Sequence, residues 1–125
     1  KSGTQTTLNA VWGTGPKDVF AVGQEALAIH WDGTRWTPLR AGLEGLAKKK
    51  NFFLALWGSS GRDVWAVGNG GAIAHYDGRR WRVSTERGGL VLTSVWGSSA
   101  SDVYVVGWDG TILHRGAASA QPVQR

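Results

Sequence analysis

The chain has 125 residues, with 19 Gly and 8 Trp but no Cys or Met, and this mixture favours short aromatic strands joined by tight turns. The lack of cysteine excludes disulfides and thiol chemistry, and no apolar run reaches transmembrane length. The formal charge of +5 favours anionic partners, but the basic residues are scattered except at 48–50 and 79–82, so we expect no nucleic-acid binding and no membrane insertion.

A tryptophan followed by glycine occurs near the start of each of three internal repeats. The apolar residues before each tryptophan predict a short first strand. Because the tryptophans recur unchanged, we predict that they are packing wedges where one repeat meets the next. The tryptophans are Trp12, Trp57 and Trp96, and the strands cover 8–12, 53–57 and 92–96.

An aspartate lies six residues after each of these tryptophans and starts a second strand, with the sequences DVFAVG, DVWAVG and DVYVVG. These strands are apolar on both faces, which indicates burial on both sides. A carboxylate at the start of such a strand is expected to accept hydrogen bonds from backbone N–H groups of the preceding turn. The aspartates are Asp18, Asp63 and Asp102.

A histidine lies in the third predicted strand of every repeat, within LAIHW, AIAHY and TILHR. Equivalent positions in adjacent sheets are about 10 Å apart, too far to share a zinc ion whose nitrogen ligands lie about 2 Å away. We therefore expect no metal site, and we predict a hydrogen bond within each repeat, as from His75 to Asp63. The histidines are His30, His75 and His114.

An Asp-Gly turn leads into a fourth strand in two repeats, within WDGTRW (31–36) and YDGRRW (76–81), whereas the third repeat has Arg115-Gly116 at this point. The longer first repeat contains an insertion within 40–51. Its leucines have helical spacing interrupted by glycines, which leaves a short helix possible, but a solvated, mobile loop is the favoured interpretation.

Four short strands in about 40 residues, apolar on both faces, need neighbours on both sides, and radial stacking supplies them. We predict an all-β chain: three four-stranded antiparallel blades of a β-propeller forming one segment over 1–125. Propellers close with four to eight blades, so the three blades belong to a larger propeller or close by oligomerisation. The expected partners are other blades or a second copy of the chain. The approximate repeats are 8–52, 53–91 and 92–125.

The pattern VWGSSxxDVxAVGxxGxIxHxDGxxW, which covers Leu8 to Arg115, resembles a repeat of bacterial β-propeller proteins abundant in myxobacteria-like genomes. The resemblance implies a propeller that is secreted or at the cell surface and is silent on function. The Asp-Gly turns are also similar to the Asp-box turns of sialidase-like propellers and to the repeats of fucose-binding propeller lectins. The serine and threonine of a full Asp-box are missing.

Aromatic side chains near charged turn residues provide a candidate ligand site. A ring face stacks on sugar C–H groups while charged neighbours bind hydroxyl groups, although packing at a blade edge explains the same rings. The candidate residues are Trp31, Asp32, Arg35, Trp36, Tyr76, Asp77, Arg80, Trp81 and Trp108.

Catalysis is not expected, because glycosidases need two carboxylates in different environments and residues repeated in every blade do not supply such a pair. No nucleophile or phosphate-binding motif is present, so we predict no catalytic residues and no cofactor. The leading hypothesis is a non-enzymatic binding or interaction module of a bacterial propeller protein. The alternatives are a carbohydrate-binding propeller lectin, with glycan as the partner, and a fragment of a sialidase-like hydrolase.

Overall fold

The structure, a computed structural model, describes residues 1–86, 88–116 and 120–122, which form three four-stranded antiparallel sheets. Strands adjacent in sequence are adjacent in each sheet, so every sheet is a meander, and we call the sheets blades 1, 2 and 3. The rest of the third predicted repeat, 117–119 and 123–125, lies outside the described residues. No helix among the described residues is long and apolar enough to cross a membrane.

The strand bounds follow the three sequence repeats. Blade 1 contains β1 (Leu8–Gly15), β2 (Asp18–Gly23), β3 (Ala28–Trp31) and β4 (Trp36–Pro38). Blade 2 contains β5 (Phe53–Ser60), β6 (Asp63–Gly68), β7 (Ala72–Tyr76) and β8 (Trp81–Thr85). Blade 3 contains β9 (Leu92–Ser99), β10 (Asp102–Gly107), β11 (Ile112–Arg115) and β12 (Ala120–Pro122).

The first strand of each blade is longer than predicted. In blade 2, β5 does not end at Trp57 but continues to Ser60, which pairs with Asp63 after an irregularity in the ladder. The small residues after the tryptophan therefore belong to the strand and not to a turn. This extension places a serine or threonine hydroxyl beside the aspartate that starts the second strand.

The second strands of blades 1 and 2 are buried on both faces, as predicted, whereas β10 is buried only on the face towards blade 2, because Tyr104 and Val106 are exposed. In β2, Phe20 and Val22 pack towards blade 2, while Ala21 lies on the opposite face. The core consists of two clusters, one at each junction between blades. The cluster between blades 1 and 2 includes Phe20, Val22, Phe53, Val64, Ala66 and Trp81. The cluster between blades 2 and 3 includes Trp65, Val67, Ile73, Leu92, Val103 and Val105.

The turn between the second and third strands has two consecutive residues with positive φ in each blade, the geometry of hairpin turns that favour Asn-Gly. Blade 2 uses Gly70 and Gly71 at these positions (φ 66° and 72°). Blade 1 places two non-glycine residues there, Glu25 and Ala26 (φ 55° and 54°). Blade 1 therefore forms this turn without the glycine or asparagine that usually occupies it.

The insertion of blade 1 covers the junction between blades 1 and 2. It contains a short helix, α1 (Glu44–Lys48), and its side chains Leu43 and Leu46 are buried in the first core cluster. The backbone N–H of Trp81 donates to the carbonyl oxygen of Ala41 at 2.8 Å. The interpretation as a solvated loop is wrong for this segment, because the two buried leucines cover apolar surface that the sheets leave open.

Candidate functional site

Each blade contains a hydroxyl–aspartate–histidine set that joins its first three strands. In blade 2, Nε2 of His75 donates to Oδ1 of Asp63 at 2.6 Å, which confirms the predicted hydrogen bond. The hydroxyl group of Ser59 donates to the other carboxylate oxygen of Asp63. These partners are side chains and not the backbone N–H groups that we expected. The equivalent sets are Thr14, Asp18 and His30 in blade 1 and Ser98, Asp102 and His114 in blade 3.

In blades 1 and 3 these hydrogen bonds favour the ionised form of the aspartate. The Ser98 hydroxyl and the His114 ring hold the pKa of Asp102 below its ordinary value. Burial raises the pKa of Asp18, but hydrogen bonds from Thr14 and His30 outweigh that effect and leave the pKa lowered. The hydroxyl members were missed in the sequence, although a serine or threonine lies four residues before each repeated aspartate.

The recurring tryptophan of one blade lies against the glycine that follows the tryptophan of the next blade. A Cβ atom on Gly58 would lie 2.8 Å from Cη2 of Trp12, and one on Gly97 would lie 2.5 Å from Cη2 of Trp57. Only glycine leaves room for the ring at these two points. The predicted packing wedge is therefore confirmed at both junctions.

The third recurring tryptophan has a different environment. Trp96 is 59% exposed, and the described residues include no following blade against which it packs. At the other end of the array, Gly13 is exposed, whereas Gly58 and Gly97 are buried. The expectation that Trp96 is a core residue is wrong for the part of the chain that the structure describes, because no glycine of a following blade covers its ring there.

The predicted site residues of blade 1 lie together. The Trp31 and Trp36 rings, with centroids 5.7 Å apart, line a depression of about 580 Å³ with Arg35. The Asp32 carboxylate accepts backbone hydrogen bonds from Thr34 and Arg35 at 2.8 and 3.0 Å, which lower its pKa. The depression lies on the outer face of blade 1, away from blade 2.

The equivalent residues of blade 2 are covered by blade 1 and the insertion. Trp81 is only 1% exposed, so no face of its ring is accessible to a sugar. Tyr76 packs against Trp81 and Phe20, with ring centroids 5.1 and 5.8 Å apart. The rings of Tyr76 and Trp81 therefore have a packing role, which was the alternative to sugar binding.

The charged candidates of blade 2 remain at the surface. Oδ1 of Asp77 accepts backbone hydrogen bonds from Arg79 and Arg80 at 2.9 and 3.0 Å. Both arginine side chains are exposed. Trp108 is 59% exposed in the turn between β10 and β11, at the opposite end of the strands from the Asp-Gly turns. The predicted residues therefore do not form one site.

A different site opens between blades 1 and 2, on the face formed by the β1–β2, β3–β4, β5–β6 and β7–β8 turns, which we call the turn face. It is a cleft of about 290 Å³ where His30 and its Asp18 partner are partly accessible. A Cβ atom on Gly61 would lie 2.9 Å from a carboxylate oxygen of Asp18, so the glycine keeps the cleft open. The lining residues are Asp18, Phe20, His30, Gly61, Arg62, Tyr76 and Gly78.

The acidic and basic side chains of the turn face differ in their hydrogen bonding and exposure. Its carboxylates are hydrogen bonded within the turns and the hydroxyl–aspartate–histidine sets, whereas its basic side chains extend into solvent. The exposed basic residues are Lys17, Arg35, Arg62, Arg79 and Arg80. Within the described part of the chain, no group of three or more His, Cys, Asp or Glu side chains is placed to hold a metal ion.

Comparison with known proteins relates the chain to solved structures through its fold. No protein-family model matches the sequence, and no curated protein matches it. The structure of YCF48 bound to D1 peptide superimposes with a TM-score of 0.77 at 18% identity, covering 98% of this chain and 42% of that one. YCF48 from Cyanidioschyzon merolae gives a TM-score of 0.74 at 17% identity, covering 96% and 40%. The resemblances to the bacterial repeat family and to Asp-box turns stay predictions. The chain spans about two fifths of these β-propellers and is itself a partial β-propeller.

Proposed function

We propose that this protein is a non-catalytic protein-interaction module, and that it binds an extended, acidic segment of a partner protein in the cleft between blades 1 and 2. The observation that carries the proposal is the cleft itself. It combines the edge of an aromatic core with an exposed guanidinium group, and Gly61 leaves space above the Asp18 carboxylate. Such a combination of apolar surface and a few polar groups is typical of binding sites.

The charge of the turn face supports an acidic partner. Arg62 lies at the cleft, and Arg79 and Arg80 extend from the adjacent turn. A carboxylate approaching this face meets guanidinium donors, which bind carboxylates with two parallel hydrogen bonds. The aspartates of the face already accept hydrogen bonds from within the chain, so their oxygens are occupied.

The geometry of the hydroxyl–aspartate–histidine sets supports a role without catalysis. In blade 1, Thr14 and His30 both bond to Asp18, so the threonine hydroxyl is directed to the carboxylate and not to the imidazole. In a Ser-His-Asp triad the hydroxyl group donates to the imidazole, which removes its proton. The absence of that contact in this set supports a role in joining strands.

A structural neighbour adds an independent argument. One YCF48 structure holds a D1 peptide, so a propeller of this fold accommodates a peptide ligand. The proposal applies this binding mode in general terms to the present chain, and it derives the position and the charge of the ligand from the chain's own residues.

A selection experiment tests the proposal. The full chain is immobilised and used to select blocked twelve-residue peptides from a displayed library, and the affinity of the enriched synthetic peptides is then measured by calorimetry. We expect peptides with acidic residues, and Arg62→Ala should weaken their binding by roughly tenfold or more because it removes a charge-assisted hydrogen bond. Equal affinity in Arg62→Ala would contradict the proposed position.

Lys17→Ala is the matched control, because Lys17 occupies in blade 1 the turn position that Arg62 occupies in blade 2. Its aliphatic stem lies against Gly33 as the stem of Arg62 lies against Gly78. The Lys17→Ala variant should keep most of the affinity of the wild type for the selected peptides. A glycan array run in parallel tests the lectin alternative: binding to a sugar without peptide enrichment would replace the proposed function.

A further inference from the structure

The two ends of the blade array are complementary surfaces. Blade 3 ends in an apolar face with a large exposed tryptophan, which we call the tryptophan end. Blade 1 ends in a face that contains an exposed glycine of the same Trp-Gly pair, which we call the glycine end. The tryptophan end consists of Trp96, Tyr104 and Val106. The glycine end consists of Val11, Gly13, Val19, Trp31 and Trp36.

The junctions between blades 1 and 2 and between blades 2 and 3 show which surface each end is built to contact. At both junctions a tryptophan ring lies on the next blade's glycine, and valine or aromatic side chains of the second strand pack behind it. Val22 and Val67, the counterparts of Val106, are fully buried. The tryptophan end therefore presents the same kinds of side chain as a completed junction: a tryptophan, a second aromatic ring and a valine.

We infer that the tryptophan end of one copy binds the glycine end of a second copy, so that Trp96 covers Gly13 of the other molecule as Trp12 covers Gly58 within one molecule. A second copy is the favoured occupant because it presents the required glycine, exposed, on a strand with the same spacing from tryptophan to aspartate as β5 and β9. Two such contacts related by a twofold axis join three blades to three, and six blades lie within the four to eight that close a propeller.

The environment of the blade-1 aromatic rings supports the same arrangement. Trp36 is half-buried, whereas its counterpart Trp81 is 1% exposed beneath blade 1 and the insertion. Contact with blade 3 of a second copy would cover Trp36 as blade 1 covers Trp81, without the contribution of the insertion. Exposed apolar side chains grouped on one face of a small chain, as at the two ends, are typical of an interface.

The oligomeric state of the full chain tests the inference. Sedimentation equilibrium should give twice the chain mass. Trp96→Glu and Val11→Glu should each yield a folded monomer, with dimer affinity weakened by roughly 30-fold or more. Both side chains are mostly exposed, at 59% and 68%, so these substitutions should leave the circular dichroism of the single chain unchanged. Val83→Glu is the control: it changes an exposed valine on the outer strand β8, away from both ends, and should remain dimeric.

Mixing the two charged variants tests the head-to-tail orientation. Val11→Glu keeps an intact tryptophan end and Trp96→Glu keeps an intact glycine end, so the mixture should form a one-to-one complex through a single contact. A dimer that paired two tryptophan ends would persist in Val11→Glu alone, and that result would overturn the inference. A folded monomeric wild-type chain, or assemblies larger than a dimer, would overturn it as well.

Discussion

The half-buried aspartate of each hydroxyl–aspartate–histidine set has both carboxylate oxygens hydrogen bonded by side chains. In blade 3 the donors are Ser98, from β9, and His114, from β11, so the carboxylate at the start of β10 joins all three strands. Removal of the serine, threonine or histidine would take away one of the hydrogen bonds that the carboxylate makes to a neighbouring strand. The repeated use of the same three residue types therefore fixes the relative positions of the first three strands in every blade.

Stability should depend on acidic pH through Asp102. Its pKa is lowered in the folded chain, so its contribution is present above the unfolded pKa of about 4 and is lost as the pH falls through the lower folded pKa. Ser98→Ala removes the largest cause of the lowering, so the urea midpoint should fall less between about pH 6 and pH 2.5 than in the wild type. Ser99→Ala, which leaves the Asp102 hydrogen bonds in place, is the control and should keep the wild-type pH dependence. Identical profiles for Ser98→Ala and the wild type would contradict this assignment.

In the β2–β3 turn of blade 1, Glu25 has a strained backbone conformation that another residue type would relieve. Its φ of 55° lies in the left-handed region, which costs a non-glycine residue about 1–2 kcal/mol and is best tolerated by Gly and Asn. Glu25→Asn should therefore raise the free energy of unfolding by about 0.5–1 kcal/mol, measured by urea denaturation. Glu25→Gln removes the same charge without relieving the backbone, so a gain of equal size in that variant would assign the effect to charge.

At the scale of whole elements, the contact between a tryptophan ring and a glycine of the next blade determines how blades stack. The tryptophan contributes the ring and the glycine contributes the space, and the two residues are adjacent in sequence but act at different junctions. Trp57, for example, covers Gly97 of blade 3, while its own neighbour Gly58 is covered by Trp12. Substitution of the glycine should therefore disturb the junction on the preceding side of its blade.

Gly97→Ala should destabilise the chain more than Gly13→Ala. The added methyl group meets a backbone carbonyl oxygen of its own blade at both positions, but only at Gly97 does it also meet a tryptophan ring. The difference should be about 1–3 kcal/mol, the usual cost of overpacking. Urea unfolding in the Trp96→Glu background measures it, because that background leaves Gly13 uncovered. Equal losses at the two positions would mean that the ring moves aside without cost.

The insertion should contribute to stability through Leu43. This side chain is almost fully buried at the junction of blades 1 and 2. Leu43→Ala should therefore lower the free energy of unfolding by about 2–5 kcal/mol, the range for buried leucines. Leu8→Ala, at a leucine that is 36% exposed, is the comparison and should cost less. A negligible effect of Leu43→Ala would show that the segment packs loosely.

At the scale of the whole molecule, blade 2 belongs to both core clusters, whereas blades 1 and 3 each belong to one. Amide hydrogen exchange should therefore be slowest in β6, which is buried on both faces at the centre of the array, because its amides open only when both clusters are lost. Nuclear magnetic resonance measures this protection residue by residue. Greater protection in β2 or β10 than in β6 would contradict a shared central blade.

The sequence repeats predicted the blades because each repeat contains its own turn signals and its own doubly apolar strand. The histidine–aspartate hydrogen bond followed from spacing within one repeat. The candidate site was predicted less well, because equivalent residues such as Trp36 and Trp81 differ in exposure according to whether a neighbouring blade lies beside them. Repeat spacing carries no information about that neighbour. The cleft at Arg62 was missed for a related reason: its residues come from two repeats, and its opening depends on the absence of a side chain at Gly61.

The ring-on-glycine contact has a direction, since each blade gives a ring on one side and receives one on the other. A unit duplicated or deleted as a whole therefore restores the same contact on both of its neighbours, and the array grows or shrinks without redesign of any joint. A blade inserted in the reverse orientation would place tryptophan against tryptophan at one junction and glycine against glycine at the other. Gene rearrangement could thus change the number of blades while every contact keeps the same head-to-tail orientation.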